Sequence, residues 1–318
     1  MRALITGTTG FVGQHLASYL INNGIEVWGT TRDYLNEVNL VEGVKIVPVD
    51  FENIESLVKV LDDIQPDFIY HLAGQSSVID SWTDKTATFQ SNVNLTLNLL
   101  EAVINSEIKG NVKVLTVGSA EEYGGPDEEC SPITEDARLK PTSPYGISKA
   151  TVGMLARHYF IAYGLKIIHV RPFNHIGPGQ RVGFVVSDFS NQIVRMERGQ
   201  QNNVISVGNL SAQRDFTDVR DIVRAYYLLL NREEVTDWGE CVNVCSGTAT
   251  SIQSILDTLL SLSQTNIDVV IDSNKLRPVD TPVFIGDNTK LKKFTSWEPT
   301  INLTQTLSDV LKNLRDQS

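Results

Sequence analysis

Tyr145 and Lys149 stand four residues apart in Ser143-Pro144-Tyr145-Gly146-Ile147-Ser148-Lys149. A phenol with its ordinary pKa of about 10 exchanges protons poorly at neutral pH, and an ammonium beside it favours the phenolate. Residues four apart share one helical face. Ser143 reads as the N-cap of such a helix and Pro144 as its first residue, so the spacing predicts an acid–base pair. Tyr-x-x-x-Lys also arises by chance in many chains, and its weight here comes from what precedes it. Val112 to Val117 reads as a strand, and Ser119 follows at its carboxyl end in Gly118-Ser119-Ala120-Glu121-Glu122-Tyr123-Gly124. A hydroxyl in that position can donate to a carbonyl oxygen in a cleft. A lone serine there is otherwise a turn or capping residue.

A second constellation lies at the start of the chain, in Thr6-Gly7-Thr8-Thr9-Gly10-Phe11-Val12-Gly13. Small residues between a strand and a helix let the backbone approach a pyrophosphate, whose charge the helix start attracts. Gly7, Thr9, Gly10, Phe11, Val12 and Gly13 are therefore candidate cofactor residues. The G-x-x-G-x-x-G spacing departs from the more general G-x-G-x-x-G. At the end of the second strand, Thr30-Thr31-Arg32 offers a guanidinium where an NAD site usually has a carboxylate. This predicts NADP(H), with NAD(H) as the alternative if Arg32 stacks on adenine while Asp33 reaches the ribose. Asp50, next to Phe51 after the third strand, reads either as an acceptor for the adenine amino group or as a helix N-cap. Leu72-Ala73-Gly74, after the fourth strand, completes the expected cofactor wall.

The elements that must carry these residues alternate. Strands are expected at Ala3–Ile5, Glu26–Thr30, Lys45–Val49, Asp67–Leu72, Val112–Val117 and Lys166–Val170. Helices are expected at Phe11–Asn22, Ile54–Ile64, Lys85–Asn105 and Pro144–Tyr163. This rhythm predicts an α/β fold, a Rossmann-like doubly wound parallel sheet. Beyond Arg171-Pro172 the rhythm loosens. Asn174–Gly183 reads as a loop, Phe189–Gly199 and Asp221–Asn231 as helices, Gly239–Cys245 as a strand, and Ser251–Ser261 and Leu303–Leu314 as helices. Residues 1–172 with about 212–248 are expected to form the dinucleotide-binding domain. About 173–211 with 249–318 are expected to form a smaller, discontinuous substrate-binding domain, with the ligand in the cleft between them.

A chain of 318 residues accommodates both parts. Its net charge of −11, with no Lys/Arg run, argues against a general nucleic-acid binder. The N-terminal stretch before Gly7 is too short for a signal peptide, and no run reaches the ~18 apolar residues of a membrane helix. The expectation is a cytoplasmic protein without membrane partners. Three cysteines, Cys130, Cys241 and Cys245, read as free thiols. Cys241 and Cys245 share one strand face and read as core residues. The five histidines form no ligand pair, and no metal is expected.

The glycine turn, Ser119 and the Tyr145/Lys149 pair together resemble the extended short-chain dehydrogenase/reductase family, in particular its nucleotide-sugar branch. The likeness covers nearly the whole chain. His71-Leu72-Ala73-Gly74-Gln75-Ser76, Asn92, Arg171-Pro172-Phe173-Asn174-His175-Ile176-Gly177-Pro178-Gly179-Gln180, Arg214-Asp215-Phe216-Thr217-Asp218-Val219-Arg220-Asp221 and Leu276-Arg277-Pro278-Val279-Asp280 resemble that branch's segments. Within it the chain is most similar to the GDP-mannose 4,6-dehydratase group and its reductase relative, which makes GDP-D-rhamnose. The resemblance implies that Gln75, Ser76, Glu121, Asn174, Arg214 and Arg277 contact a nucleotide diphosphate sugar, with Asp280 on ribose hydroxyls. It also implies a homodimer through the helices near Asn92 and Tyr145.

Dehydratases of this branch carry Thr-Asp-Glu or Thr-Ser-Glu where this chain has Ser119-Ala120-Glu121. Alanine cannot relay a proton to a leaving hydroxyl, so the expected reaction is NAD(P)H-dependent reduction of the C4 ketone of GDP-4-keto-6-deoxymannose. Tyr145 would be the proton donor, Lys149 would tune it, and Ser119 would polarise the carbonyl. Glu121 survives, which keeps 4,6-dehydration open. A nucleotide-sugar 4-epimerase and a cofactor-binding regulatory protein are the other readings.

Overall fold

The structure is a computed structural model describing residues 1–31, 40–125, 131–232, 237–272 and 281–317. Arg32, Asp33, Cys130, Arg277 and Asp280 lie outside the described residues. The first half runs β1 (Arg2–Thr6), α1 (Phe11–Asn22), β2 (Glu26–Thr31), β3 (Lys45–Pro48), α2 (Ile54–Ile64), β4 (Phe68–His71), α3 (Val78–Thr83), α4 (Lys85–Phe89), α5 (Leu95–Asn105), β5 (Lys113–Val117), α6 (Pro144–Tyr163) and β6 (Lys166–Pro172). The second half runs β7 (Asn174–Ile176), α7 (Val185–Glu197), β8 (Val204–Val207), β9 (Gln213–Asp218), α8 (Val219–Leu230), β10 (Cys241–Val244), β11 (Ala249–Ser251), α9 (Ile252–Ser261), β12 (Asp268–Ile271), β13 (Val283–Phe284), α10 (Thr289–Thr295) and α11 (Leu303–Asp316).

Seven strands form one parallel sheet in the order β10-β6-β5-β4-β1-β2-β3. This is the doubly wound arrangement expected from the sequence, and its order reverses between β1 and β4. The two faces bury separate cores. Leu16, Leu20, Tyr226 and Leu229 of α1 and α8 cover one face, and Leu57, Leu61, Leu99 and Val103 of α2 and α5 cover the other. A fully buried Leu contributes roughly 1.5–3 kcal/mol relative to its exposed state, so each helix is held mainly by its apolar stripe. A smaller sheet joins β11, β9 and β13, with β7 pairing β9, and a third core around Phe189, Ile193, Ile255 and Leu311 lies under α7, α9 and α11. Within 212–248, α8 and β10 accompany the large sheet while β9 runs in the small one. Among the described residues, no helix is long and apolar enough to cross a membrane, and no cluster of three or more His, Cys, Asp or Glu could hold a metal ion.

Two local expectations are corrected. Asn174–Ile176 is a strand and not loop, because it finds a parallel partner in Phe216–Asp218. The predicted helix Lys85–Asn105 is interrupted by a π turn at Gln90–Asn94. The turn's Asn92 is drawn inward, where its Oδ1 accepts the Gln75 N–H at 2.7 Å and its Nδ2 donates to Ser148 Oγ at 2.9 Å.

Candidate active site

Because the large sheet is parallel, everything that follows a strand lies along one edge. That edge gathers Gly7 after β1, Asp50 after β3, Leu72–Ser76 after β4, Ser119 after β5 and Asn174 after β6. Gly7 has φ +74° and sits so close to the β4 loop that a Cβ would stand 2.9 Å from the Ala73 nitrogen. A Cβ on Gly13 would stand 2.3 Å from the Gly7 carbonyl oxygen. Gly29 in β2 leaves room for Thr8, whose hydroxyl donates to the Ile5 carbonyl at 2.6 Å. α1 opens at Gly10 with no side chain capping it, whereas α2, α6 and α9 are capped by Asn53, Ser143 and Ser251. The start of α1 thus keeps donors facing the turn, with Thr9 and Gly10 exposed and Phe11 and Val12 half-buried beside them. This cradle at the sheet's reversal point fits a dinucleotide pyrophosphate.

Asp50 is exposed and accepts the Glu52 N–H at 2.9 Å, while Phe51 is buried behind it. The cap of α2 is Asn53, so the N-cap alternative for Asp50 is excluded. Behind Leu72–Gly74 lies a buried hydrogen-bond chain whose direction is fixed. Thr96 Oγ1 donates to Asn92 O at 2.6 Å, so it accepts from His71 Nε2 at 3.0 Å. Thr6 Oγ1 accepts the Ala73 N–H at 3.1 Å and lies 2.8 Å from His71 Nδ1. Burial lowers the His71 pKa to about 3, so the imidazole is neutral, and with its proton on Nε2 its Nδ1 accepts from the Thr6 hydroxyl.

Tyr145 and Lys149 occupy the buried face of α6, whose start is capped as expected: Ser143 Oγ accepts the Gly146 N–H at 3.0 Å and Pro144 holds the first position. The Tyr145 hydroxyl is hydrogen-bonded to Ser119. Ser119 Oγ accepts the Glu121 N–H at 3.1 Å. The Lys149 ammonium lies 5.8 Å from the centre of the Tyr145 ring and donates to the Val117 carbonyl at 2.9 Å. The expected acidification of the phenol is not what this geometry gives. Burial dominates and raises the Tyr145 pKa well above the usual phenol range, with the Ser119 hydrogen bond opposing it and Glu121 and Glu122 adding to it. Burial also lowers Lys149 to about 8, against the pull of Glu122. The pair therefore presents a protonated phenol beside an ammonium that is charged at neutral pH.

Along the rest of the edge, Gln75 is half-buried and its side-chain oxygen has no partner, as is true of Gln180 in the segment after β7. Ser76 and Asn174 are exposed, and Glu121 is half-buried beside Tyr145. Arg214 lies farther out on β9 and donates to the Thr281 and Gln213 carbonyls at 2.8 Å. The structure also shows what sequence reasoning missed: Glu122, fully buried, is bound to His169 and Arg171 directly beneath Ser119. Cys241 is half-buried, Cys245 is buried, and both are free thiols.

The sequence profile of the GDP-mannose 4,6 dehydratase family matches residues 4–310. GDP-6-deoxy-D-mannose reductase of Pseudomonas aeruginosa is 33% identical across 98% of this chain and 96% of its own length. Human GDP-mannose 4,6 dehydratase is 28% identical across 97% of this chain and 90% of its own. Among solved structures, RMD from Pseudomonas aeruginosa complexed with NADPH superposes with a TM-score of 0.84 at 32% identity, covering 100% of this chain and 99% of that one. UDP-glucose 4-epimerase from Thermotoga maritima with UDP-glucose superposes with a TM-score of 0.88 at 27% identity, with the same coverage. By its matched span and its identity to the reductase, this chain belongs to the GDP-mannose 4,6 dehydratase family.

Proposed function

We propose that this protein is a nicotinamide-dependent oxidoreductase that reduces the C4 ketone of GDP-4-keto-6-deoxymannose to GDP-D-rhamnose. NADPH, seated on the glycine turn, would supply the hydride, with NADH as the second choice. The chain's own residues do the rest. The protonated Tyr145 phenol gives its proton to the oxygen at C4 as negative charge develops there. Ser119 donates a hydrogen bond to the same oxygen. Lys149, above the phenol ring, holds a positive charge close to the departing proton. Gln75, Ser76, Asn174 and Arg214 are assigned to the diphosphate sugar, for which Arg214 would supply a planar fork of donors to phosphate oxygens. Arg32, Arg277 and Asp280 are assigned to the cofactor and nucleotide on the family resemblance.

The observation that favours reduction over elimination is Ala120. It is 5% exposed, packs beside Tyr123 and Phe173, and bears no proton to give a leaving hydroxyl at C6. Glu121 beside Tyr145 favours the second reading, 4,6-dehydration of GDP-mannose. Supplying GDP-mannose with NADP+ and, separately, the 4-keto sugar with NADPH tests both. The reductase reading predicts turnover in the second vessel only, and turnover confined to the first overturns it.

The protein is further proposed to work as a homodimer in the cytoplasm, where reduced nicotinamide is available. Ile147, Met154 and Ile161 stand seven residues apart on α6 and are 45%, 64% and 67% exposed. With Leu97 on the neighbouring α5 they form an apolar stripe suited to packing against its own copy.

A further inference from the structure

Beneath Ser119 lies a polar cluster that the proposed reaction does not use. Glu122 is 0% exposed. Its Oε1 accepts the Ser119 main-chain N–H at 2.9 Å and lies 3.0 Å from His169 Nε2, and its Oε2 accepts from Arg171 Nε at 2.7 Å. His169 Nδ1 is 3.0 Å from Thr116 Oγ1. Arg171 also donates to the Tyr123 hydroxyl at 3.0 Å, which in turn donates to Asn243 Oδ1 at 2.7 Å. Two glycines make the space. A Cβ on Gly118 would stand 2.0 Å from Glu122 Oε1 and 2.3 Å from His169 Nε2, and one on Gly153 would stand 2.9 Å from the same nitrogen.

Burying a carboxylate costs several kcal/mol even when it is paired, and an apolar residue of similar volume would serve stability as well or better. The cluster therefore calls for a purpose beyond filling the core. Its geometry supplies one. Glu122 grips the main chain of Ser119, while Ser119 Oγ is already accepting from Glu121 N. With one lone pair so engaged, the hydroxyl keeps its proton and its other lone pair for Tyr145 and the reacting oxygen.

We propose that Glu122, locked by His169 and Arg171, is a positioning residue that sets the Ser119 hydroxyl for ketone reduction; this inference rests on the reductase reading above. Glu122 also acts at a distance, since its charge opposes the loss of the Lys149 proton on burial. The carboxylate serves three donors with two oxygens. A glutamine has only one acceptor oxygen, so Glu122→Gln must release either Ser119 or its anchors.

A double-mutant cycle tests this. Glu122→Gln is expected to lower kcat about tenfold with KM and NADPH affinity within about twofold, and in a Ser119→Ala background to lower it by less than about twofold, because coupled residues are non-additive. A merely structural role would instead cost the same factor in both backgrounds. That result, or an unchanged kcat in the single variant, overturns the proposal. If Glu122→Gln melts too low for assay, Glu122→Asp, which withdraws the carboxylate by one methylene, goes through the same cycle. A wild-type enzyme that turns over GDP-mannose and not the 4-keto sugar contradicts the reductase reading alone. The cycle is then read on GDP-mannose, where additivity still overturns the role of Glu122.

Discussion

Lys149 reaches across from α6 to the carbonyl of Val117 at 2.9 Å, while its ammonium stands 5.8 Å from the centre of the Tyr145 ring. One hydrogen bond to β5 thus fixes the charge beside the phenol. Two of its donors remain for other partners.

That placement sets a pH limb. Burial lowers the Lys149 pKa to about 8, so the ammonium is lost as pH rises through that value. The kcat/KM for reduction should fall above about pH 8, and Lys149→Met should be much slower and lack the limb. Initial rates from pH 6 to 10 check this, and a wild-type profile flat to pH 10 contradicts it.

His71 should make the fold acid-sensitive. Its folded pKa of about 3 lies below the ordinary 6.5, so between those values the unfolded chain binds more protons than the folded one. Stability therefore falls as pH drops from about 6.5 toward 3, by up to about 1.4 kcal/mol per pH unit from this group. Melting curves at pH 7.5 and pH 5 should show a smaller drop for His71→Gln than for wild type. Equal drops would rule out this source.

Gly13→Ala should disable the cofactor turn. The added carbon would meet the Gly7 carbonyl oxygen at 2.3 Å and the Thr8 Cα at 2.8 Å, backbone atoms that cannot yield cheaply. A strain of about 1–3 kcal/mol placed at the binding site corresponds to a Kd for NADPH raised roughly 5- to 150-fold. Fluorescence titration reads it directly, and an unchanged Kd would remove the turn from the cofactor site.

Met154→Glu with Ile161→Glu should give monomers. Both residues are more than half exposed on α6 and on the same stripe, so charges there leave the fold intact and repel a second copy. Sedimentation velocity should show a dimer for wild type and a monomer for the variant. A wild-type monomer contradicts the dimer.

The sequence made the large sheet legible because each strand and helix carries its own local signal. Ser143 and Pro144 announced α6 to the residue, and α2 was read at its observed bounds. Three residues of β7 inside a Gly- and Pro-rich stretch gave no such signal, since their partner, Phe216–Asp218, lies some forty positions on. The π turn at Gln90–Asn94 depends on what Asn92 grips in the folded state. Glu122 was the deepest omission. Nothing in Glu121-Glu122-Tyr123 signals burial, and its partners His169 and Arg171 are 47 and 49 residues away. The phenol departs from expectation for a related reason. Helical spacing predicts that Tyr145 and Lys149 share a face, but not that burial raises the phenol's pKa with only the Ser119 hydroxyl opposing it.

The most direct test of the account follows NADPH absorbance with GDP-4-keto-6-deoxymannose for wild type and Tyr145→Phe, with cofactor binding measured alongside. The account predicts GDP-D-rhamnose from the wild type and, in the variant, a kcat lower by about 10²–10⁴-fold with NADPH affinity essentially kept. A Phe variant that reduces the sugar at the wild-type rate would contradict the role of the Tyr145 proton.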